Sequence, residues 1–432
     1  MSHETVALSA IRFDKSVYPR TKHDPALVQR YAACLAEIEA AGNYITVDAN
    51  LRMLDGRHRH LAYLTIYSEE PDHQVTVHVL PVSDDSEAFE VAAKLNSQSG
   101  WQMTEEDKEA AARRMYQQPD RRKTQAEIGA ILSVSTTTVS RWLTGILEAE
   151  RKAREAKMLS MWLACHTQED IAEAVGVVQS VVAEFLQRIS EKYSGNDSDI
   201  FRNFDAEPEE GKKSPRQLYS VWNFPEATNK TRVFGSIPPE IIDNLLYYYT
   251  KPFDVVFDPF GGGGSTVDKC IERKRRYYVS DLNPIPARSD IRKHDITTGL
   301  PGDLPVPDFV FLDPPYWKQA EGKYSQDPTD LGNLKTVEEF IEAIGRIAQQ
   351  AKRKWNGVHT GRLALILGPC KQDGAYTDLA FLAYARVAKY LNPVQRIIVP
   401  YTTQVHGGAY VEGAKKKKEL LYLHRDLMVF GG

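Results

Sequence analysis

The chain has 432 residues, too many for one ordinary core, so about two to four domains are expected. Apolar residues make up 42% and charged residues 26%, the balance of a water-soluble folded protein, and no apolar run nears the roughly 18–20 residues a spanning helix needs. The net charge of −4 excludes a uniformly basic nucleic-acid coat but leaves room for a local basic face. Four scattered cysteines, Cys34, Cys165, Cys270 and Cys370, have neither metal spacing nor the look of a disulfide framework. Met1–Ala10 lacks a basic-then-apolar signal, so a cytoplasmic, reducing setting is expected, with no membrane and no metal.

Residues 1–100 mix short strands, Tyr44–Val47 and Val75–Leu80, with helical stretches. Between them LDGRHRHLAYL, Leu54–Leu64, follows a strand-like run and opens a helix. This stretch resembles the phosphate-binding segment of the ParB/sulfiredoxin superfamily, and the resemblance covers roughly residues 6–145. It implies an α+β ParB-like domain in which Arg57 and Arg59 contact a nucleotide. The pattern departs from the family in two places. Arg57 stands at an acidic position, and a later Glu-Asn-x-x-Arg signature is reduced to Leu95, Asn96 and Ser99. The competing reading has both arginines capping the domain or touching DNA phosphates. No cysteine lies in the DGRHRH loop, which sets aside a sulfiredoxin-like activity.

Residues 101–190 read as an all-α region with an internal repeat. TQAEIGAILSVSTTTV at Thr124–Val139 matches TQEDIAEAVGVVQSVV at Thr167–Val182 at a constant offset of 43 residues. In each copy the apolar positions are spaced to close two helices over a tight turn, with Gly129 and Ala172 where the helices touch. This is helix-turn-helix spacing, with Ser135–Leu143 and Val178–Gln187 as the second helices. Thr137, Ser140 and Arg141 on the first of these suit phosphates and base edges, whereas the second offers mostly Val and Gln. Two ordinary helical hairpins are the plainer alternative.

Ser190–Gln217 is polar and charged with Gly and Pro and reads as a linker, assigned to residues 191–215. From residue 216 to 432 apolar strands alternate with amphipathic helices, as in a doubly wound α/β sheet. The strand candidates are Val255–Phe257, Tyr277–Ser280, Phe309–Leu312, Leu363–Leu367, Arg396–Val399 and Glu419–Leu423. Helices are expected over Glu240–Tyr249, Val337–Lys354 and Thr377–Leu391.

Two motifs carry the chemistry. DPFGGGGST, Asp258–Thr266, turns from a strand through four glycines into a helix, where a backbone without Cβ atoms lets a cofactor approach a helix N-terminus. DPPYW, Asp313–Trp317, sets a carboxylate, two prolines and two aromatics in one loop after a strand. The glycines do not form a phosphate loop of the Walker type, since no Lys precedes Ser265, and a dehydrogenase would leave DPPYW unexplained. Pro369–Cys370 follows a later strand, apart from the DPPYW loop, and Cys370 is read as a packed thiol.

In this order the two motifs resemble the amino-methyltransferases of DNA, over roughly Leu218–Phe430. The resemblance implies a Rossmann-like doubly wound domain that binds S-adenosylmethionine and methylates an exocyclic base nitrogen. Asp258 would receive the ammonium of the cofactor, Phe260 would pack beside it, and Gly261 and Gly263 would allow the close turn. Asp281 would accept hydrogen bonds from the ribose and Asp295 from the adenine amine, each with a helix cap as the alternative role. Ser236 and Pro238 carry over to the segment that covers the methionine moiety. Asp313 and the Pro314 carbonyl would accept hydrogen bonds from the base amine, Pro315 would stiffen the loop, and Tyr316 would stack on a flipped base. Asp at the first position points to N6 of adenine, with N4 of cytosine the alternative. VHGGAYVEGAKKKKEL, Val405–Leu420, reads either as a DNA-tracking loop carrying Lys416 or as a solvated hairpin.

The expected protein is therefore a site-specific DNA methyltransferase of the restriction-modification kind, with DNA as partner, a nucleotide at the ParB-like domain, and homo-oligomerisation left open. A ParB-like partition or regulatory protein with a vestigial methyltransferase domain is the alternative from another class.

Overall fold

The computed structural model describes the chain apart from residues 1, 21, 99–101, 195–199, 202–203, 205–215, 225–236, 319–324, 358–359, 373–374 and 402–407. It divides into two compact units, Met1–Lys152 and Ala153–Gly432.

The first unit holds a four-stranded sheet ordered β1-β4-β2-β3, from β1 (Ser2–Ala7), β2 (Ile45–Asp48), β3 (Met53–Asp55) and β4 (Gln74–Leu80). Val75, Val77 and Val79 alternate along β4 and meet Ile45, Val47 and Met53, the period-two signature of a half-buried strand. Helices α1 (Pro25–Ala33), α2 (Leu35–Ala40) and α3 (Arg57–Ile66) add Val28, Leu35, Ala62 and Tyr63 to this core. Three helices follow, α4 (Asp85–Gln98), α5 (Glu105–Gln117) and α6 (Gln125–Leu132), and then α7 (Thr136–Leu163), which continues past Lys152 into the second unit. A capping box joins Thr124 and Glu127 at the start of α6. The α6–α7 turn needs a glycine, because a Cβ on Gly129 would sit 2.8 Å from the Val134 carbonyl oxygen.

Helix α7 runs twenty residues beyond the expected end at Leu143 (163 less 143). No Gly or Pro interrupts Ile146–Leu163, and its Ala, Glu, Arg, Lys and Leu residues are strong helix formers.

In the second unit α8 (Gln168–Val175) and α9 (Gln179–Tyr193) repeat the same construction, with a capping box at Thr167 and Asp170 and a left-handed Gly176 at the turn. The remainder is mixed α/β around a mostly parallel seven-stranded sheet of order β12-β13-β9-β8-β5-β6-β7. Its strands are β5 (Val255–Asp258), β6 (Arg276–Asp281), β7 (Arg292–Lys293), β8 (Phe309–Leu312), β9 (Arg362–Leu367), β12 (Asn392–Pro400) and β13 (His424–Gly431). β13 is antiparallel to both its neighbours; every other pair is parallel. A small hairpin, β10 (Cys370–Gln372) and β11 (Ala375–Thr377), stands apart.

The sheet is buried on both faces. Phe257, Val310, Leu312 and Leu365 pack with α12 (Val337–Trp355) and α13 (Leu379–Val387). Val256, Phe309, Phe311 and Ile366 pack with α10 (Pro239–Tyr249) and α11 (Ser265–Glu272). Near-continuous apolar strands are what a two-sided burial requires. Phe201 and Phe204, inside the stretch that reads as linker, are buried in the second of these cores.

Two expected elements move. The last strand is His424–Gly431, not Glu419–Leu423, because a central strand between β9 and β12 needs the apolar run Leu427–Phe430 rather than a charged Glu419. Gly408–Lys417, expected as a loop or hairpin, forms helix α14, with Lys415, Lys416 and Lys417 in its last turn, where cations complement the helix dipole.

Candidate active site

Strand order reverses at β5. The chain leaves β5 for β6 and β7 on one side, then returns to β8 and β9 on the other, which opens a crevice at the carboxyl ends of β5 and β8. Asp258 is the last residue of β5 and Asp313 the first after β8, so both sequence motifs meet at this crevice.

Asp258 is 2% exposed. Its Oδ1 accepts the Phe260 N–H at 2.8 Å and its Oδ2 accepts the Thr266 hydroxyl at 2.6 Å. Burial nevertheless pushes its pKa up to about 7, with the hydrogen bonds opposing and the nearby Asp281 adding to the rise. Asp313 is half-buried as a residue, but burial of its carboxyl again pushes the pKa up to about 7; Arg425 opposes the rise and Asp258 adds to it. Each of the two carboxyls is lifted first by burial and then by a neighbouring carboxylate, Asp281 for Asp258 and Asp258 for Asp313, which marks an acidic crevice.

The glycine turn is held from three directions. Gly261 donates to the Ser280 carbonyl at 2.8 Å, and Gly262 donates to Asp281 Oδ2 at 2.9 Å while Asn283 donates to Oδ1 at 2.9 Å. Gly262 and Gly264 have positive φ. A Cβ on Gly261 would lie 2.7 Å from Val279 Cγ1 and 3.0 Å from Ile291 Cγ2, so this glycine first of all permits the turn to pack on β6. Arg288 ties the turn from behind: it donates to the carbonyls of Gly263 and Gly264 and pairs with Asp268 and Asp290. Gly263 is half-buried in the turn, and the half-buried Phe260 ring packs against the α12 side of the core.

Asp295 lies two residues past β7, where Oδ1 accepts both the backbone N–H (2.9 Å) and the hydroxyl (2.7 Å) of Thr297 and caps a short 3-10 turn. Pro314 is buried, Pro315 sits against Gly332, and Tyr316 is 8% exposed. Trp317 donates its indole N–H to the Leu334 carbonyl at 2.9 Å, which anchors the loop. Ser236 lies outside the described residues, as do Ser99 and the first part of the Val405–Leu420 segment.

The remaining candidates sit elsewhere. Arg59 is used within the fold, donating to the carbonyls of Asn43 and Tyr44 and pairing with Asp55 at 2.8 Å. The Arg57 guanidinium stacks 3.5 Å from the Phe13 ring centre. Thr137 is exposed, Ser140 is half-buried, and the exposed Arg141 pairs with Glu105 at 2.7 Å. Lys416 is exposed on α14. Sequence reasoning missed Thr266, Arg288, Tyr401 and Arg425; of these only Thr266, inside the glycine motif, carried a local signal.

The fold and site thus define a mixed α/β protein with an acidic, glycine-turned crevice at a sheet switch point. Comparison with known proteins agrees in kind. A family model described as DNA methylase matches residues 104–285, a stretch that includes the glycine turn and Asp281 and ends before Asp313. The type II methyltransferase M.XycI of Xanthomonas campestris pv. cyanopsidis is 36% identical over 69 residues, 16% of this chain and 23% of that protein. M.Cfr9I of Citrobacter freundii is 35% identical over 69 residues with the same coverage. The chain therefore spans about a quarter of the length of these curated relatives. Among solved structures, a Pnob8-like ParB-N domain aligns with 33% of this chain and 68% of its own at 11% identity and a TM-score of 0.26. A truncated chromosome-partitioning protein ParB from Caulobacter crescentus, complexed with CTP-gamma-S, aligns with 43% of this chain and 99% of its own at 13% identity and a TM-score of 0.19. At those scores neither alignment bears on the reading of this chain.

Proposed function

We propose that the chain is a DNA methyltransferase that uses S-adenosylmethionine to methylate the exocyclic amine of a flipped base, N6 of adenine by the Asp of DPPY, with N4 of cytosine the alternative. The observation that carries this is the pair Asp258 and Asp313: two carboxyls whose pKa burial lifts to about 7, at adjoining strand ends beside a glycine turn, with Asp281 close by Asp258. A crevice so anionic suits a ligand that bears a sulfonium and an ammonium. Asp258, Phe260, Gly261, Gly263, Asp281, Asp295 and Ser236 are the residues assigned to hold it. When bound, it supplies an electrophilic methyl group.

The chain's own part is to prepare the nitrogen. An aromatic amine is a poor nucleophile because its lone pair is delocalised into the ring. Hydrogen bonds from that amine to the Asp313 carboxylate and the Pro314 carbonyl draw the nitrogen toward tetrahedral geometry and free the lone pair. Pro314 and Pro315 stiffen the loop so that both acceptors converge, and Tyr316 stacks on the base. A carboxylate whose pKa is lifted toward 7 is also matched to take the proton the nitrogen gives up.

The doubly wound domain over residues 216–432 carries the chemistry in this reading. The ParB-like residues 1–100 and the helix-turn-helix residues 101–190 supply DNA recognition through Thr137, Ser140 and Arg141, with Lys416 touching phosphates from the catalytic domain and Arg57 the candidate for a nucleotide. Labelled S-adenosylmethionine and mixed-sequence duplex DNA test it, with digestion to nucleosides. N6-methyladenine is expected, N4-methylcytosine would correct the base, and no transfer to any DNA would overturn the enzyme reading.

A further inference from the structure

β13 runs against its neighbours, so its first residues reach the edge where the parallel strands end. Asp426 lies opposite Leu367, the last residue of β9, and Arg425 opposite Val399 of β12. Arg425 thereby arrives at the catalytic crevice from a strand far along the chain from DPPYW. Three side chains converge on Gly368, just past β9. A Cβ there would lie 2.7 Å from the Tyr401 hydroxyl, 3.3 Å from Tyr316 Cε2 and 3.6 Å from Arg425 Cγ. The Arg425 guanidinium stands 4.8 Å from the Tyr401 ring centre.

Arg425 is 6% exposed, yet its Nε makes no hydrogen bond and its guanidinium forms no ion pair among the described residues. The adjacent Asp426 is taken by Arg396 at 2.8 Å. A buried cation paired with no carboxylate among the described residues is a burden on folding, so its place here asks for a use. The charged groups that act on Asp313 are Arg425 from β13 and Asp258 from β5, and they act in opposite senses.

We propose that Arg425 is a positioning residue for the DPPYW loop, its guanidinium holding the Asp313 carboxylate charged and available as a hydrogen-bond acceptor; as a step in catalysis, this rests on the methyl-transfer reading. Asp258 is needed to attract a cationic cofactor, but its negative charge drives protons onto Asp313. Arg425 offsets that effect, and its stem and the Tyr316 ring, the side chain assigned to the base, both reach the space beside Gly368. Tyr401, stacked on the guanidinium, fixes its place.

The test uses the full chain and needs no cofactor for its first readout. With carbon-13 in the aspartate carboxyls, the resonance lost in Asp313→Asn is that of Asp313, and its titration is followed by NMR. Arg425→Met should raise the midpoint by about one pH unit, the size of shift a single nearby charge produces, and Arg425→Lys should restore most of it. In methyl transfer at saturating cofactor, the acidic limb of the rate should move the same way while the alkaline plateau stays within about threefold. Should Arg425→Met not fold, Arg425→Gln is judged by the same midpoint. An unmoved midpoint in a folded variant overturns the proposal, as does a rate lowered by one factor at every pH. If the unaltered chain methylates no DNA, the function reading fails, while the NMR titration still decides whether Arg425 holds Asp313.

Discussion

Thr266 donates a 2.6 Å hydrogen bond to Asp258 from the first turn of the helix that follows the glycines. The bond opposes the protonation that burial favours. Thr266→Val, which keeps the shape and deletes the donor, should therefore raise the Asp258 pKa further and weaken S-adenosylmethionine binding at pH 7 by about tenfold, the scale of one hydrogen bond to a charged group. Calorimetry at pH 6.5 and 8.5 checks it: the loss should shrink at the higher pH. Equal losses at both values would mean that the hydroxyl does not act through Asp258.

The raised carboxyls also set a pH dependence of stability. Asp258 and Asp313 move from 3.8 to about 7 in the folded state, so between those values the folded chain keeps protons that the unfolded chain has released. Their contribution to stability is then fully present below the unfolded pKa, falls as pH rises from about 4 to about 7, and stays low above that. The melting temperature of the cofactor-free chain should carry this downward component from pH 5 to 8, and Asp258→Asn should remove a large part of it. An unchanged slope in Asp258→Asn would contradict the buried-carboxyl account.

Gly261 tests whether the glycine run serves the fold or the ligand first. Its absent Cβ would press on Val279 and Ile291. Gly261→Ala should destabilise the cofactor-free chain by about 1–3 kcal/mol, the usual penalty for overpacking a core. A variant with native melting temperature but no cofactor affinity would instead assign the glycine to the ligand.

Asp281→Ala removes an acceptor that the Gly262 N–H already uses at 2.9 Å, so it slackens the turn as well as deleting the carboxylate assigned to the ribose. S-adenosylmethionine affinity should fall by about 1–3 kcal/mol by calorimetry. Adenine alone should lose little, since the change is centred on the sugar. Equal losses for both ligands would point to collapse of the turn.

Much of the second unit was legible because its signals are local. The apolar runs of β5, β6, β8 and β9 and the amphipathic stripes of α10 and α12 can each be read within one window of sequence. DPFGGGGST and DPPYW likewise place their own carboxylates at strand ends. What was not legible depends on pairing between distant segments. Whether Glu419–Leu423 or His424–Gly431 enters the sheet is decided by burial between β9 and β12, which no window contains. Arg425 carries no motif, and only the reversed direction of β13 brings it to the crevice. Arg288 gave no signal either, since its role is to meet carbonyls of a turn 24 and 25 residues earlier. Arg59 reads from sequence either as a phosphate contact or as a cap on the domain, and its bonds to the Asn43 and Tyr44 carbonyls, just before β2, lie outside the DGRHRH window that suggested both.

The last expectation concerns Arg141, which the helix-turn-helix reading gives to DNA and which pairs with Glu105 at 2.7 Å across two exposed side chains. An exposed pair of this kind contributes little to stability, about 0–1 kcal/mol, so it can open readily to a phosphate. If Arg141 meets DNA, Glu105 is its competitor, and the two substitutions should act in opposite directions. Glu105→Gln should tighten DNA binding a few-fold at low salt, and Arg141→Ala should weaken it and lower the slope of log affinity against log salt by about one, as loss of one phosphate contact does. The double variant should behave as Arg141→Ala alone, since without the arginine the carboxylate has nothing to compete for. Fluorescence anisotropy of the full chain on a labelled duplex, across a salt series, measures all three. If Glu105→Gln weakens binding, or Arg141→Ala leaves the salt slope unchanged, the pair belongs to the fold of the helical region and DNA is read elsewhere.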